Sequence, residues 1–249
     1  MGTRFALTGM PRTGTNRLVA QLQAQPDMWC HNEVLQNEHV YVTSPSSNWR
    51  KQFPTVEADL LVLRRTDPCA FFERIFSMNH GRDHCGFKTH FGKQQNWKLT
   101  QLILENVNVV KVVLHRTNVL AAYSSYSAAT QDGAWNPKKM QRTERSLVQF
   151  SKSAFLQYRG NYEERYQNIF ATLRGQSHFV FRFEELNESA RISALLQFLG
   201  ACPEVAEVKT PAVRGPRDVL SRFSNPENAE NFLREHGLMH WSREDDVVS

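Results

Sequence analysis

The residues Gly9-Met10-Pro11-Arg12-Thr13-Gly14-Thr15-Asn16 follow a short apolar run and precede a helical pattern. A glycine-rich turn leading into a helix turns backbone N–H groups, and the positive end of the helix dipole, toward an anion. Arg12 adds a cation. The Gly9-to-Gly14 spacing matches the first part of a nucleotide-phosphate loop of the Walker A kind, which brings a nucleotide kinase into consideration. That loop requires Lys and then Ser or Thr, to reach the outer phosphates and hold magnesium. Here the two positions are Thr15 and Asn16. The run Val107–Leu114 ends not in a carboxylate but in His115-Arg116. Loop and strand together read as a site that neutralises anionic charge with arginine and without a metal ion.

Arg116 is the second chemical feature. A guanidinium after a buried strand offers a planar fork of donors to phosphate oxygens. His80, His84, Cys85 and His90 have the right side chains for zinc, but their spacing matches no established pattern. No metal is expected. Trp29, Trp49, Trp97 and Trp135 are candidates for stacking on a sugar or adenine, with Trp49 and Trp135 in irregular segments the better placed.

These residues need a scaffold. Phe5 to Thr8 reads as a first strand, and a helix is predicted from Thr15 to Gln25, with Leu18, Val19 and Leu22 inward and Pro26 as its stop. The stretch from His31 to Arg65 is polar and rich in Asn, Ser and Pro, and reads as loops around a site. Asp67-Pro68 is a helix start, followed by Phe71, Phe72, Ile75 and Phe76 on a buried face. Cys85–Lys88 is a short strand, and Val107–Leu114 reads as a strand buried on both sides. A helix from near Thr117, a long one between Glu144 and Leu173, a strand at Phe179–Phe183 and a helix ended by Gly200 complete the pattern. Strands alternating with helices predict an α/β fold: a central parallel sheet flanked by helices on both faces, in a single domain over 1–249.

Thirty Lys and Arg against 25 Asp and Glu give a charge of +5 and a sequence pI near 9.1. The basic residues are spread along the chain, which favours an anionic ligand over nucleic acid. Four scattered cysteines without a CxxC pair, no signal-peptide pattern and no membrane-length apolar run predict a cytoplasmic protein. No pattern in the sequence specifies an oligomeric state.

The Pro-Arg-Thr-Gly-Thr segment after the first strand resembles the 5′-phosphosulfate loop of sulfotransferases that use 3′-phosphoadenosine 5′-phosphosulfate (PAPS). Arg116 and Ser124 resemble that family's 3′-phosphate motif, in the right order and each at a strand-to-helix junction. Gly86-Phe87-Lys88, Phe183-Glu184-Glu185-Leu186 and Phe198-Leu199-Gly200 extend the likeness toward bacterial carbohydrate sulfotransferases of the nodulation-factor type, over most of the chain from Phe5 to about Arg234. The C-terminal portion departs from it: Phe223-Ser224-Asn225 stands where that family usually has Asn before an aromatic residue.

The resemblance implies a P-loop-NTPase-like sulfotransferase fold and transfer of a sulfuryl group from PAPS to a hydroxyl of a small-molecule or carbohydrate acceptor, releasing PAP without a required metal. It places Pro11, Arg12, Thr13, Gly14, Thr15 and Asn16 at the 5′ end and Arg116 and Ser124 at the 3′-phosphate. A third contact falls among Lys209, Arg214 and Arg217, with Arg214 the foremost candidate. Arg12 and Lys88 would steady the transferring group. His31-Asn32-Glu33-Val34 lies where the carbohydrate enzymes carry a catalytic Glu, pointing to Glu33 as base, its pKa raised by desolvation in a closed site. Lys88-Thr89-His90 is similar to the Lys-Thr-His of the small-molecule enzymes, which makes His90 the alternative. Acceptor loops are expected at 37–66 and 130–142. A metal-dependent nucleotide kinase or NTPase, and a non-catalytic PAP- or PAPS-binding protein, are the competing readings.

Overall fold

The run from Arg4 to Gly9 forms the central strand of a five-stranded sheet in a computed structural model, which describes residues 2–44, 49–91, 95–133, 146–204 and 216–244, without the side chains of 49–53. The first elements are β1 (Arg4–Gly9), α1 (Thr15–Gln23), β2 (Met28–Glu33), α2 (Trp49–Thr66), α3 (Pro68–Ser77), β3 (His84–Lys88), α4 (Trp97–Glu105) and β4 (Val110–His115). There follow α5 (Val119–Gln131), α6 (Lys152–Thr172), β5 (His178–Arg182), α7 (Ser189–Phe198) and α8 (Pro226–Glu235).

The strands lie in the order β2-β3-β1-β4-β5. Parallel pairing joins β1 to both β3 and β4, and β2 to β3. Parallel strands need crossover helices, which is why helices alternate with them along the chain. A strand covered by helices on its faces carries apolar residues throughout, and Phe5, Ala6 and Leu7 are fully buried.

The chain divides into two compact units. The first comprises Met1–His115, Ile169–Phe181 and Glu185–Thr210, and holds the sheet. Within it, Phe71, Phe72, Ile75 and Phe76 of α3, Leu60 of α2 and Leu99 and Ile103 of α4 pack with Ala6, Trp29 and Phe87 of the sheet. Asp67 caps α3 by accepting from the Ala70 amide at 3.0 Å, with Pro68 at the first helical position. The second unit comprises Arg116–Asn168, Arg182–Glu184 and Pro211–Ser249. Its core is aromatic: Tyr123, Phe150, Phe155, Phe223, Phe232 and Trp241 meet mostly edge-on, with Tyr123 and Phe223 stacked.

The strand expected at Phe179–Phe183 is His178–Arg182, and other boundaries also differ from expectation. The stretch from 31 to 65 is not a set of irregular loops. It contains the end of β2 and, from Trp49 onward, the 18-residue α2, so the acceptor loop expected at 37–66 is helical over its second half. β4 begins at Val110 rather than Val107, whose side chain is exposed in the preceding turn. α1 stops at Gln23, two residues early. Most of the loop expected at 130–142, together with Trp135, Lys209 and Arg214, lies outside the described residues. No helix among the described residues is long and apolar enough to cross a membrane.

Candidate active site

The glycine loop is shaped by two backbone demands. Gly9 pairs with Leu114, and a Cβ on it would stand 2.5 Å from the Leu114 carbonyl oxygen. Gly14 takes the left-handed conformation (φ 88°) as the residue before α1. Arg12 is also left-handed (φ 72°), a conformation a non-glycine side chain adopts at some cost. Thr13 is fully buried and its hydroxyl donates to Met10 O at 2.8 Å, so its side chain serves the loop itself. No side chain caps α1. Its hydrogen bonds begin with Arg17 and Leu18 donating to Gly14 O, leaving the Thr15 and Asn16 amides without a helical acceptor. Amides left open after a left-handed turn are the arrangement that backbone anion binding requires.

Glu33 reaches the same end of the sheet through a bulge. His31 pairs with Phe87 and Glu33 with Lys88, so Asn32 is an extra residue in β2. The bulge sets Glu33 beside Lys88 instead of on the opposite face. Lys88 is nearly buried, at 4% side-chain exposure, and its Nζ lies 3.0 Å from Glu33 Oε1. The same Nζ donates to Asn16 Oδ1 in the glycine loop. Beyond Lys88, Thr89 donates its amide to Leu7 O (2.8 Å) and Phe91 donates its own to Gly9 O (3.3 Å). That continued pairing along β1 carries His90 to Glu33, with Nε2 3.3 Å from Oε1.

The two rival bases therefore form one cluster. Burial pushes the Glu33 carboxyl upward. The hydrogen bond from His90, with the charge and hydrogen bond of Lys88, outweighs it and brings the pKa to about 2. This corrects the expectation of a raised pKa: desolvation is present, but the hydrogen bond from His90 and the Lys88 ammonium together exceed it.

Gln95 carries no mark in the sequence. Its Nε2 donates to Glu33 Oε2 at 3.3 Å, it lies opposite Gln36 in an isolated antiparallel bridge, and it begins the turn capped by Asn96. Nothing in its spacing marks it, because its role depends on a tertiary pairing. The chain after Glu33 is held by Arg64 of α2, whose guanidinium donates to the carbonyls of Val34, Gln36, Asn37 and His39 at 2.7–3.2 Å.

In the second unit, Arg116 exchanges backbone hydrogen bonds with the Tyr162 hydroxyl at 3.0 and 2.9 Å. Its guanidinium lies 4.1 Å from the centre of the Phe183 ring. Burial, then the nearby Arg222, lowers its pKa to about 9, which leaves it charged at neutral pH. Glu244 bonds both Arg116 and Arg222, and neither Arg222 nor Glu244 was singled out from the sequence. Ser124 is buried, and its hydroxyl donates to Ala121 O within its own helix.

His80, His84 and His90 stand in separate surroundings: His80 against the Trp29 ring, His84 near Asp27 and His90 on Glu33. No group of three metal-ligating side chains is found among the described residues.

No protein-family profile matches the sequence, and no curated protein matches it significantly. Solved structures do. The sulfotransferase from Alicyclobacillus acidocaldarius aligns with a TM-score of 0.50 at 16% identity, over 98% of this chain and 100% of that one. The sulfotransferase domain from the curacin biosynthetic pathway aligns at 0.43 and 12%, over 90% and 80%. At such identity the first match establishes the fold: a central parallel sheet with helices around it, P-loop-like, shared with a sulfotransferase.

Proposed function

We propose that this protein is a sulfotransferase that moves a sulfuryl group from PAPS to a hydroxyl of a small-molecule or carbohydrate acceptor, leaving PAP. One observation carries the reading: Lys88, tied to Asn16 of the phosphate-type loop, also holds Glu33, which in turn meets His90. Anion-binding loop, cation and proton-accepting pair are thus joined in one unit of the chain.

PAPS, when bound, supplies an activated sulfuryl group on a phosphate leaving group. Arg12 and the amides from Gly14 to Asn16 bind its 5′ end, and Arg116 its 3′-phosphate. Lys88 neutralises charge that develops on oxygens at the transferring group. The Glu33–His90 pair takes the hydroxyl proton, with Gln95 keeping the carboxylate aimed. Glu33 is the more accessible member, its side chain 27% exposed against 11% for His90.

Thermal unfolding with PAP and with ATP–magnesium tests the cofactor class. Ligand at a hundred times its dissociation constant stabilises by about 2.7 kcal/mol, a rise of about 5–10 °C for a chain of this size. A rise with PAP, followed by transfer of labelled sulfate from PAPS to an acceptor panel, supports the proposal. A rise with ATP–magnesium alone refutes it in favour of a kinase. A rise with PAP but no transfer to any acceptor identifies a silent binding protein.

A further inference from the structure

The second unit builds an anion site and fills it with its own carboxylate. Asn118, the residue capping α5, donates from Nδ2 to Trp241 O (2.9 Å) and Arg243 O (3.0 Å). Asp218 and Arg243 form an antiparallel bridge, Val219 donates to Ser242 O at 2.8 Å, and the Glu244 amide donates to Arg217 O at 3.1 Å. This backbone pairing delivers the Glu244 side chain between two guanidinium groups. Oε1 accepts from Arg116 Nη2, and Oε2 from Arg222 Nη2 at 2.6 Å. The side chains of all three residues are 10% exposed or less. Arg222 is braced by donating from Nε to Pro216 O at 2.9 Å.

An oxyanion whose two oxygens each meet a different arginine is what a phosphate would also present. A phosphomonoester brings three acceptor oxygens and a charge of about −1.5 to −2 against the single charge of a carboxylate. A buried carboxylate–arginine cluster contributes little net stability, because desolvation offsets its attraction. Glu244 can therefore yield when a stronger anion arrives. Glu184, whose Oε1 accepts from the Thr117 hydroxyl at 3.0 Å, also acts on Arg116 and belongs to a different segment.

We propose that Glu244 is an internal competitor at the Arg116–Arg222 pair: a phosphomonoester must displace it, and binding releases the segment from Met239 to Glu244. The proposal rests on the reading of Arg116 as a 3′-phosphate residue.

The test is calorimetric titration of wild type and Glu244→Gln with PAP and with adenosine 5′-phosphosulfate, which lacks the 3′-phosphate. A site occupied by its competitor about nine-tenths of the time binds about tenfold more weakly. Glu244→Gln is expected to bind PAP about tenfold tighter and adenosine 5′-phosphosulfate unchanged. In the wild type, saturating PAP is expected to speed hydrogen exchange at the Val219 and Glu244 amides. Unchanged or weaker PAP binding by the variant overturns the proposal, as does slower exchange at those amides; the exchange result alone decides if the variant does not fold. If neither protein binds either nucleotide, the cofactor reading has failed and inorganic phosphate becomes the probe. Phosphate binding gained by Glu244→Gln and lost in Glu244→Gln/Arg222→Ala then upholds the displacement, and no gain sinks it.

Discussion

Replacing Glu33 by Gln removes a carboxylate held at about pKa 2 and leaves the Lys88 ammonium buried without its counter-charge. The unfolded chain protonates such a group near its ordinary value of 4.5. A depressed folded pKa contributes stability that is complete above the unfolded value and is lost as pH falls toward the folded one. Each unit is worth about 1.36 kcal/mol, so the shift from 4.5 to about 2 corresponds to on the order of 3 kcal/mol. The side chain is 27% exposed, and solvent screening trims this to about 2 kcal/mol. Glu33→Gln should melt about 4–8 °C below wild type at neutral pH. The two curves should converge on acidification, with roughly half of the gap gone by about pH 3. Differential scanning calorimetry of both proteins between about pH 7 and pH 3 reads this directly. A gap that stays constant with pH, or a Glu33 carboxyl titrating above 4.5 by carbon-13 NMR, would refute the account of the cluster.

Turnover separates the two members of the pair: Glu33→Gln is expected to lose most transfer activity with PAP affinity nearly intact, and a fully active Glu33→Gln beside a dead His90→Ala would assign the proton to His90. Gly9→Ala drives a Cβ to 2.5 Å from the Leu114 carbonyl and should destabilise by about 2 kcal/mol; a melting temperature within about 1 °C of wild type would contradict the tight strand contact. Asp67→Ala removes the α3 cap, with an expected loss of about 1 kcal/mol, or about 2–4 °C in melting temperature.

Local signals in the sequence carry the first strand, the glycine loop, the Asp67-Pro68 helix start and the helix stop at Gly200. Each depends on a few neighbouring residues. β2 was not legible: Met-Trp-Cys-His-Asn-Glu shows no clean alternation, and it becomes a strand by pairing with β3 while burying His31 completely. α2 was hidden by Pro54 inside it and by the Ser- and Asn-rich approach. Glu33 and His90 stand in motifs that resemble two different groups of enzymes and so compete in the sequence; only the adjacency of β2 and β3, with its bulge, makes them one cluster. Gln95, Arg222 and Glu244 act through tertiary contacts that leave no periodic trace.

The Arg64 clamp grips what every residue has in common, its carbonyl oxygen. Gln36, Asn37 and His39 are all gripped through their backbones, so the path of the chain beside Glu33 is set by one side chain of α2 whatever residues stand there. The path of the backbone and the identity of the side chains are thereby set by different parts of the sequence. A lineage could retune what this rim meets without disturbing the charged cluster behind it, and a designer could graft new residues there on the same terms.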